Sequence, residues 1–554
     1  MISNRAALFV LFSCIIVYVI GLFIPLMEID AAQYASISRE MLDNKSFFQV
    51  FDLGKDYLDK PPMLFWLSAL SMKIFGVHGW SYRLPSLLFS LLAIYSTYRL
   101  AFIYYKKEIA QLSALVLAAC QAMFLINHDV RTDTMLMGWV AFSIWQLAAW
   151  YEYKKWKYFF CGFIAIAGGM MTKGPIALMI PVFAFAPHFI LRREWKQFFR
   201  WEYIVGIIII GILLLPMSIG LYQQYDLHPG KIVERVVIKS GLKFFYWTQS
   251  FGRITGASQW KENSSFFFLV QNMLWSFLPW IVYFLIALFF SIKKLVQQKF
   301  LLSKGQEYIT AGGFILTYCA LASSQAQLPH YIFVAFPFAA IVTGNFLYQL
   351  LETNEFIKFK KPVLIFQLFT YIVLWSCVIM LIAVVFESVS IFTAVACFFV
   401  CLGMFPVLFA DKNSYYKILE ASFYTIIAIN LFLNISFYPA LLKYQAGNTA
   451  ADFVNEHSLP KDNIFIYGMF EGRTMDFYSQ HIYQHKNDKN EFKVSDIIMM
   501  PADSVSAVKK DWPQMKVLFT GPDFHVTLLS IQFLNPLERD KEVRKYVIVK
   551  LDGK

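Results

Sequence analysis

Residues Ala6 to Leu26 read AALFVLFSCIIVYVIGLFIPL, and Met27-Glu28-Ile29-Asp30 follows at once. The apolar stretch is long enough to cross the hydrocarbon layer, which takes about 20 helical residues. It is too long for a signal-peptide core and carries no clear small-residue cleavage site, so it reads as a retained first helix. The same ruler laid along the chain finds thirteen candidate spans, near 6–26, 82–105, 109–127, 134–151, 158–171, 175–191, 203–222, 265–292, 308–323, 330–350, 363–386, 389–410 and 418–438. Composition agrees, with 58% hydrophobic and 16% charged residues, against roughly 45–50% and about 25% in soluble domains. The 57 Phe, 30 Tyr and 14 Trp suit lipid-facing surfaces and interfacial belts.

A net charge of +12 raises the question of a nucleic-acid partner. The basic residues instead fall in short clusters between apolar runs, which argues for membrane loops and against nucleic acid. With a cytoplasmic N-terminus, the inside loops carry Lys106 and Lys107, then Lys154, Lys155 and Lys157, then Arg192 and Arg193. Lys293 and Lys294 follow, then Lys358, Lys360 and Lys361, then Lys412 and Lys417. Every second loop is basic, as the positive-inside rule demands. An odd number of spans then places the tail outside the cytoplasm. All seven cysteines lie in apolar runs, which supports neither a disulfide framework nor a thiolate metal cluster.

The outside connections have another character. Two are long, 27–81 and 223–263, and the short ones hold Asp129, Arg131, Asp133, Lys173, Gln327 and His330. Charges so close to a membrane are costly unless they serve something. In the first long loop, segments beginning at Ala32 and Pro62 read as amphipathic helices along the interface. Asp30 admits two readings: a general base facing a polar loop, or the N-cap of a helix starting at Ala31. After about Tyr444 the composition changes. Ala446 to His457 reads as an amphipathic helix, and apolar runs follow at 463–467, 497–500, 516–520, 526–534 and 546–551, separated by turn signals. The expected fold is a polytopic α-helical membrane domain, 1–444, with a small extracytoplasmic α/β domain, 445–554.

Several short motifs recur in order. They are Asp30-Ala31-Ala32-Gln33-Tyr34-Ala35 with Arg39-Glu40-Met41, Asp59-Lys60-Pro61-Pro62 with Phe65-Trp66-Leu67, and Arg83-Leu84-Pro85-Ser86. Further along stand Arg131-Thr132-Asp133, Thr172-Lys173-Gly174-Pro175, Phe251-Gly252-Arg253, Leu278-Pro279-Trp280 and Leu328-Pro329-His330-Tyr331. The ordered set, from Asp30 to Pro337, resembles the GT-C membrane glycosyltransferases. The branch is the one holding lipid A aminoarabinose transferases and protein O-mannosyltransferase-like enzymes, glycosyltransferase family 83. The tail contributes nothing to the match.

The resemblance implies a bacterial inner-membrane enzyme that moves a sugar, with inversion, from a polyprenyl-phosphate carrier to a lipid, glycan or secreted-protein acceptor. It implies Asp30 as general base, since an acceptor hydroxyl attacks only once its proton is taken. Lys60, Arg253 and Arg131 then hold the donor phosphate. Asp133, Asp59, Tyr34, Tyr331 and His330 bind or orient sugar and acceptor. Lys60 also reads as a snorkelling interfacial lysine, Arg131 as the ion-pair partner of Asp129 or Asp133, and Lys173 as a contact to lipid headgroups. Relatives in this branch have Glu where Asp59 stands and a metal-binding histidine upstream of Arg253. Here Thr248, Gln249 and Ser250 occupy that place, so no metal is expected. A site joining Asp59 to His128 or His330 is the remaining metal option. A transporter of lipid-linked sugar is the alternative; it calls for paired broken helices near the midplane and often repeats, neither of which the sequence displays.

Overall fold

The computed structural model describes residues 4–233, 236–249, 252, 264–303, 305–353, 355–385, 414–469 and 472–553. Helices α1 (Asn4–Gly21), α4 (Gly79–Tyr104), α5 (Lys107–Ala118), α6 (Gln121–Leu125), α7 (Thr132–Tyr153), α8 (Trp156–Lys173), α9 (Ile176–Leu191) and α10 (Glu202–Leu221) build most of a bundle. Helices Ile281–Gln297, Ile309–Ala322, Phe336–Glu352, Ile357–Met380 and Ser414–Phe432 add to it among the described residues. Among the described residues, six helical stretches are long and apolar enough to cross a membrane, and the chain is an integral membrane protein. Helix α10 shows why: Ile204, Ile207, Ile208, Ile212 and Leu215 are all exposed, a surface suited to lipid and not to water. Helix lies under each described candidate span; the one expected at 389–410 falls outside the described residues.

Two spans depart from expectation. The third breaks at Ala119–Cys120 between α5 and α6, and the eighth breaks at 277–280, between Phe268–Ser276 and Ile281–Gln297. Continuous apolar composition concealed both. The breaks face each other: the Gln121 amide donates to the Leu278 carbonyl at 3.0 Å, and Trp280 Nε1 donates to the Ala119 carbonyl at 3.0 Å. Each break thus satisfies backbone groups freed by the other, as a non-aqueous setting requires. The chain therefore does contain a pair of broken helices, contrary to the sequence reading. Beside them lies a reciprocal amide pair, Gln121 with Asn430.

One end of the bundle carries the polar structure. Helices α2 (Asp30–Asp43) and α3 (Met63–Phe75) lie in the first long connection, joined through a hairpin of β1 (Phe51–Asp52) and β2 (Lys55–Asp56). Tyr34, Tyr57, Phe65 and Tyr82 hold this layer together as an apolar cluster. Arg83, fully buried, donates to the carbonyls of Leu22, Ile24, Pro25 and His128, which closes the chain end of α1.

Above this layer stands a five-stranded mixed sheet, order β6-β5-β7-β9-β8. Its strands are β5 (Ile464–Ile466), β6 (Gln484–His485), β7 (Ile497–Pro501), β8 (Met515–Asp523) and β9 (Arg544–Leu551). Strands β5, β6 and β7 run parallel, and β9 pairs antiparallel with β7 and β8. The central β7 is apolar on both faces, because helix Ala446–Glu456 covers one and helix Val505–Asp511 with Trp512 the other. The apolar run at 526–534 forms no strand; only Ile531–Leu534 is helical.

Helix Arg473–Ser479 docks this sheet onto α2. Thr474 donates through its backbone N–H (2.8 Å) and its hydroxyl (2.7 Å) to Glu28, and Arg473 pairs with Asp52. Gln445 accepts from the Glu28 N–H at 2.9 Å and donates to the Leu26 carbonyl at 3.0 Å. Gly447 permits the approach: a Cβ there would sit 2.2 Å from the Thr474 hydroxyl.

Candidate active site

Asp30 opens α2. The residue at the cap position is Ile29, with helical φ and ψ and no capping side chain, so Asp30 is a first-turn residue and not the N-cap. Its carboxylate pairs with Arg131, which sits just before α7 and reaches Asp129 at 3.2 Å. Arg131 therefore bridges Asp129 and Asp30. It does not pair directly with Asp133, though Asp133 and Tyr331 still act on it electrostatically.

Asp133 lies one residue into α7, and Lys173 ends α8 on the facing side, so the two meet at 2.5 Å. The Lys173 ammonium also stands 3.8 Å from the Tyr331 ring centre. His330 Nε2 is 3.5 Å from the second Asp133 oxygen, too long for a hydrogen bond. In the 59–62 turn, Lys60 reaches Asp59 at 2.6 Å. Gln249 donates to the other Asp59 carboxylate oxygen at 2.8 Å and to the Asp59 carbonyl at 2.7 Å.

Asp59, Lys60, Asp133, Lys173, Gln249 and Tyr331 line a cavity of about 180 Å³ whose remaining wall, Ser324 apart, is apolar, with Leu136, Ile176, Met179 and Phe183 in it. Asp30 and Arg131 adjoin this group without lining the cavity. Tyr34 lies within the apolar cluster, edge-on to Phe65 at 5.9 Å. Arg253 falls outside the described residues.

Lys173 and Gln249 are the residues that spacing underweighted. Thr172-Lys173-Gly174-Pro175 marked a helix end, but nothing in the sequence named Asp133 as its partner. A divalent cation does not fit Asp59, whose two carboxylate oxygens already receive an ammonium and an amide, groups that donate and cannot ligate. The His128 ring lies against Tyr438, 4.4 Å between centres.

The chain is thus a helical membrane bundle whose carboxylate–cation pairs gather under a small sheet at one end. Residues 59–219 match the family described as dolichyl-phosphate-mannose-protein mannosyltransferase. An uncharacterized protein of Aquifex aeolicus is 28% identical over 345 residues, 62% of each chain. The undecaprenyl phosphate-alpha-4-amino-4-deoxy-L-arabinose arabinosyl transferase of an Enterobacter species is 25% identical over 363 residues, 64% of this chain and 62% of that one. The chain thus spans about three fifths of the length of these curated relatives. The crystal structure of ArnT from Cupriavidus metallidurans bound to undecaprenyl phosphate superposes with a TM-score of 0.74 at 16% identity, covering 100% of both chains. The chain is a membrane protein with the fold of ArnT, the fold that its motifs led one to expect.

Proposed function

We propose that this protein is an inverting glycosyltransferase. It takes a sugar from a polyprenyl-phosphate carrier and passes it to a lipid, glycan or protein acceptor at the outer face of the bacterial inner membrane. The observation that carries the reading is the arrangement of Asp30, paired to Arg131, beside a cavity whose polar end holds two lysine–aspartate pairs, Lys60 with Asp59 and Lys173 with Asp133, and whose opposite wall is largely apolar. The apolar wall suits a polyprenyl chain, and Lys60 and Lys173 suit its phosphate.

In this reading Asp30 takes the proton of the acceptor hydroxyl as its oxygen bonds the anomeric carbon. The bond from that carbon to the phosphate oxygen breaks on the opposite side, and polyprenyl phosphate leaves with the electron pair. Phosphate is a weak base and needs no acid. Cations stabilise the charge developing on it instead, a role given to Lys60, with Arg131 and Arg253 in support. Asp133, Asp59, His330 and Tyr331 hold these groups in place, and Tyr34 stiffens α2 from behind. Residues 1–444 form the catalytic membrane domain, with the N-terminus cytoplasmic and the 445–554 domain extracytoplasmic. The transporter reading is not favoured, because an uncharged amide pair lies at the facing helix breaks while the carboxylate–cation pairs of Asp30, Asp59 and Asp133 lie by the 59–62 turn and the ends of α2, α7 and α8.

The test is Asp30→Asn. Arg131 keeps Asp129 as a partner, so the variant folds. Transfer of envelope sugar, followed by mass spectrometry of lipids and glycoproteins, falls about 10²–10⁴-fold, the usual worth of a positioned base. Undiminished transfer in a correctly inserted variant removes the proposed base.

A further inference from the structure

A second cavity, of about 600 Å³, opens where the sheet meets the segment preceding Asp30. Glu28 and Ile29 form one side, and they are the two residues directly before Asp30. The opposite side comes from the sheet, where Asp523 at the end of β8 and Arg544 at the start of β9 are cross-strand partners, with Glu542 and His525 beside them. Asp523 is half-buried and lies within the electrostatic reach of Arg544 and His525, while His525, Glu542 and Arg544 are exposed at the mouth. Ile466, Met499 and Phe524 give the interior an apolar surface. This is the size and mix of a ligand site: an apolar wall, a few convergent polar groups, and a position beyond the carboxyl end of β5, the usual place for a ligand on parallel strands.

The charge balance says which ligand. Three carboxylates face one guanidinium and one imidazole, so the acids still outnumber the bases and a phosphate entering here meets net repulsion, whereas sugar hydroxyls donate well to carboxylates and sugar C–H faces rest on Met and Phe. On the transferase reading, we infer that this cavity receives the acceptor, and that the acceptor headgroup is a hydroxyl-rich sugar unit without phosphate. The donor occupies the cavity at Lys60 and Lys173, and the acceptor comes from the sheet side. The two approach Asp30 from opposite directions.

The experiment measures binding to the full-length protein in nanodiscs with no donor present, by calorimetry. The probes are N,N′-diacetylchitobiose and its 1-phosphate. The expected result is that chitobiose binds and the phosphorylated sugar binds at least tenfold more weakly. In Asp523→Asn/Glu542→Gln the discrimination should shrink to threefold or less, and Glu542→Gln alone, at an exposed position, moves it the same way should the double variant not fold. Absence of chitobiose binding, equal or tighter binding of the phosphate, or unchanged discrimination in the variants overturns the inference. Asp30→Asn separates this claim from the transferase reading: chitobiose binding persists in it. A wild-type protein that binds chitobiose with this preference yet transfers no sugar keeps the cavity assignment and loses the reaction.

Discussion

Two carboxylates in this protein start their helices and meet a cation from a distant segment, yet they live in different surroundings. The side chain of Asp133 is 2% exposed, sealed between Lys173 and His330. The side chain of Asp30 is 35% exposed, held by an arginine that has a second carboxylate of its own. Asp133 borders the cavity but, with one oxygen on the Lys173 ammonium and almost none of its side chain exposed, it offers little surface to an acceptor hydroxyl. The open Asp30 offers more, and its arginine can stay compensated when the carboxylate is protonated. On the proposed transferase reading, the difference gives Asp133 a positioning role and leaves the chemistry to Asp30.

The largest effect that sharpens this contrast is on stability at the sealed pair. Asp133→Asn leaves the Lys173 ammonium with the Tyr331 ring as its main compensation, and breaking a buried pair from one side costs about 3–5 kcal/mol. Thermal melting in detergent should drop sharply for Asp133→Asn while Asp30→Asn melts close to wild type. If both variants melt alike and differ only in transfer, the division between sealed and open carboxylates is wrong.

The sequence made parts of this legible and hid others for physical reasons. Hydropathy marked the spans because lipid demands long apolar helices. It missed the breaks at Ala119–Cys120 and 277–280, since breaks closed by facing backbone groups leave the composition apolar. Asp30 stood out by its position at the mouth of α1, but its partner Arg131 lies 101 residues away, a separation that no periodicity encodes. Arg131 was expected to pair with Asp129 or Asp133; the fold grants the first and gives Asp133 to Lys173. The tail's strands were readable as apolar runs, whereas the two-residue β6 is too short for a pattern. The grip of Thr474 and Gln445 on Glu28 had no signal at all, because polar residues in a soluble domain are ordinary there.

That grip supplies the next test of the contrast. Arg473 ties the sheet domain to Asp52 of the β1–β2 hairpin, whose other carboxylate oxygen accepts from Gln33 of α2 at 2.8 Å. Arg473→Met leaves Asp52 with Gln33, so the loss should be near the value for a hydrogen bond to a charged group, about 1.5–3 kcal/mol. The change should loosen α2, and with it the open Asp30 site, and leave the sealed pair alone. Hydrogen exchange resolved by peptide reads this directly: faster exchange in 30–43, with 132–153 and 156–173 unchanged. Uniform acceleration in all three segments means the two sites are not independently supported.

The smallest effect comes from a buried acid in the same docking helix, Asp476, and it is a matter of sign. Burial pushes its carboxyl up to about 7, only partly opposed by the Tyr483 N–H that donates to it at 3.1 Å. An acid bound more tightly to its proton in the folded chain than in the unfolded one adds stability while it stays protonated. That contribution is fully present below the ordinary aspartate range near 4 and is lost as pH rises to about 7. The sheet domain and its hold on α2 should therefore be firmer at pH 5 than at pH 8, by roughly a few degrees in melting. Asp476→Asn should flatten that dependence, because its amide oxygen still accepts from Tyr483 and no charge is left to bury. Since the group sits behind α2 and far in sequence from α7 and α8, exchange in 30–43 should follow pH more steeply than exchange around Asp133. A variant that keeps the full wild-type pH dependence places the titrating group elsewhere and separates the docking helix from the behaviour of the Asp30 site.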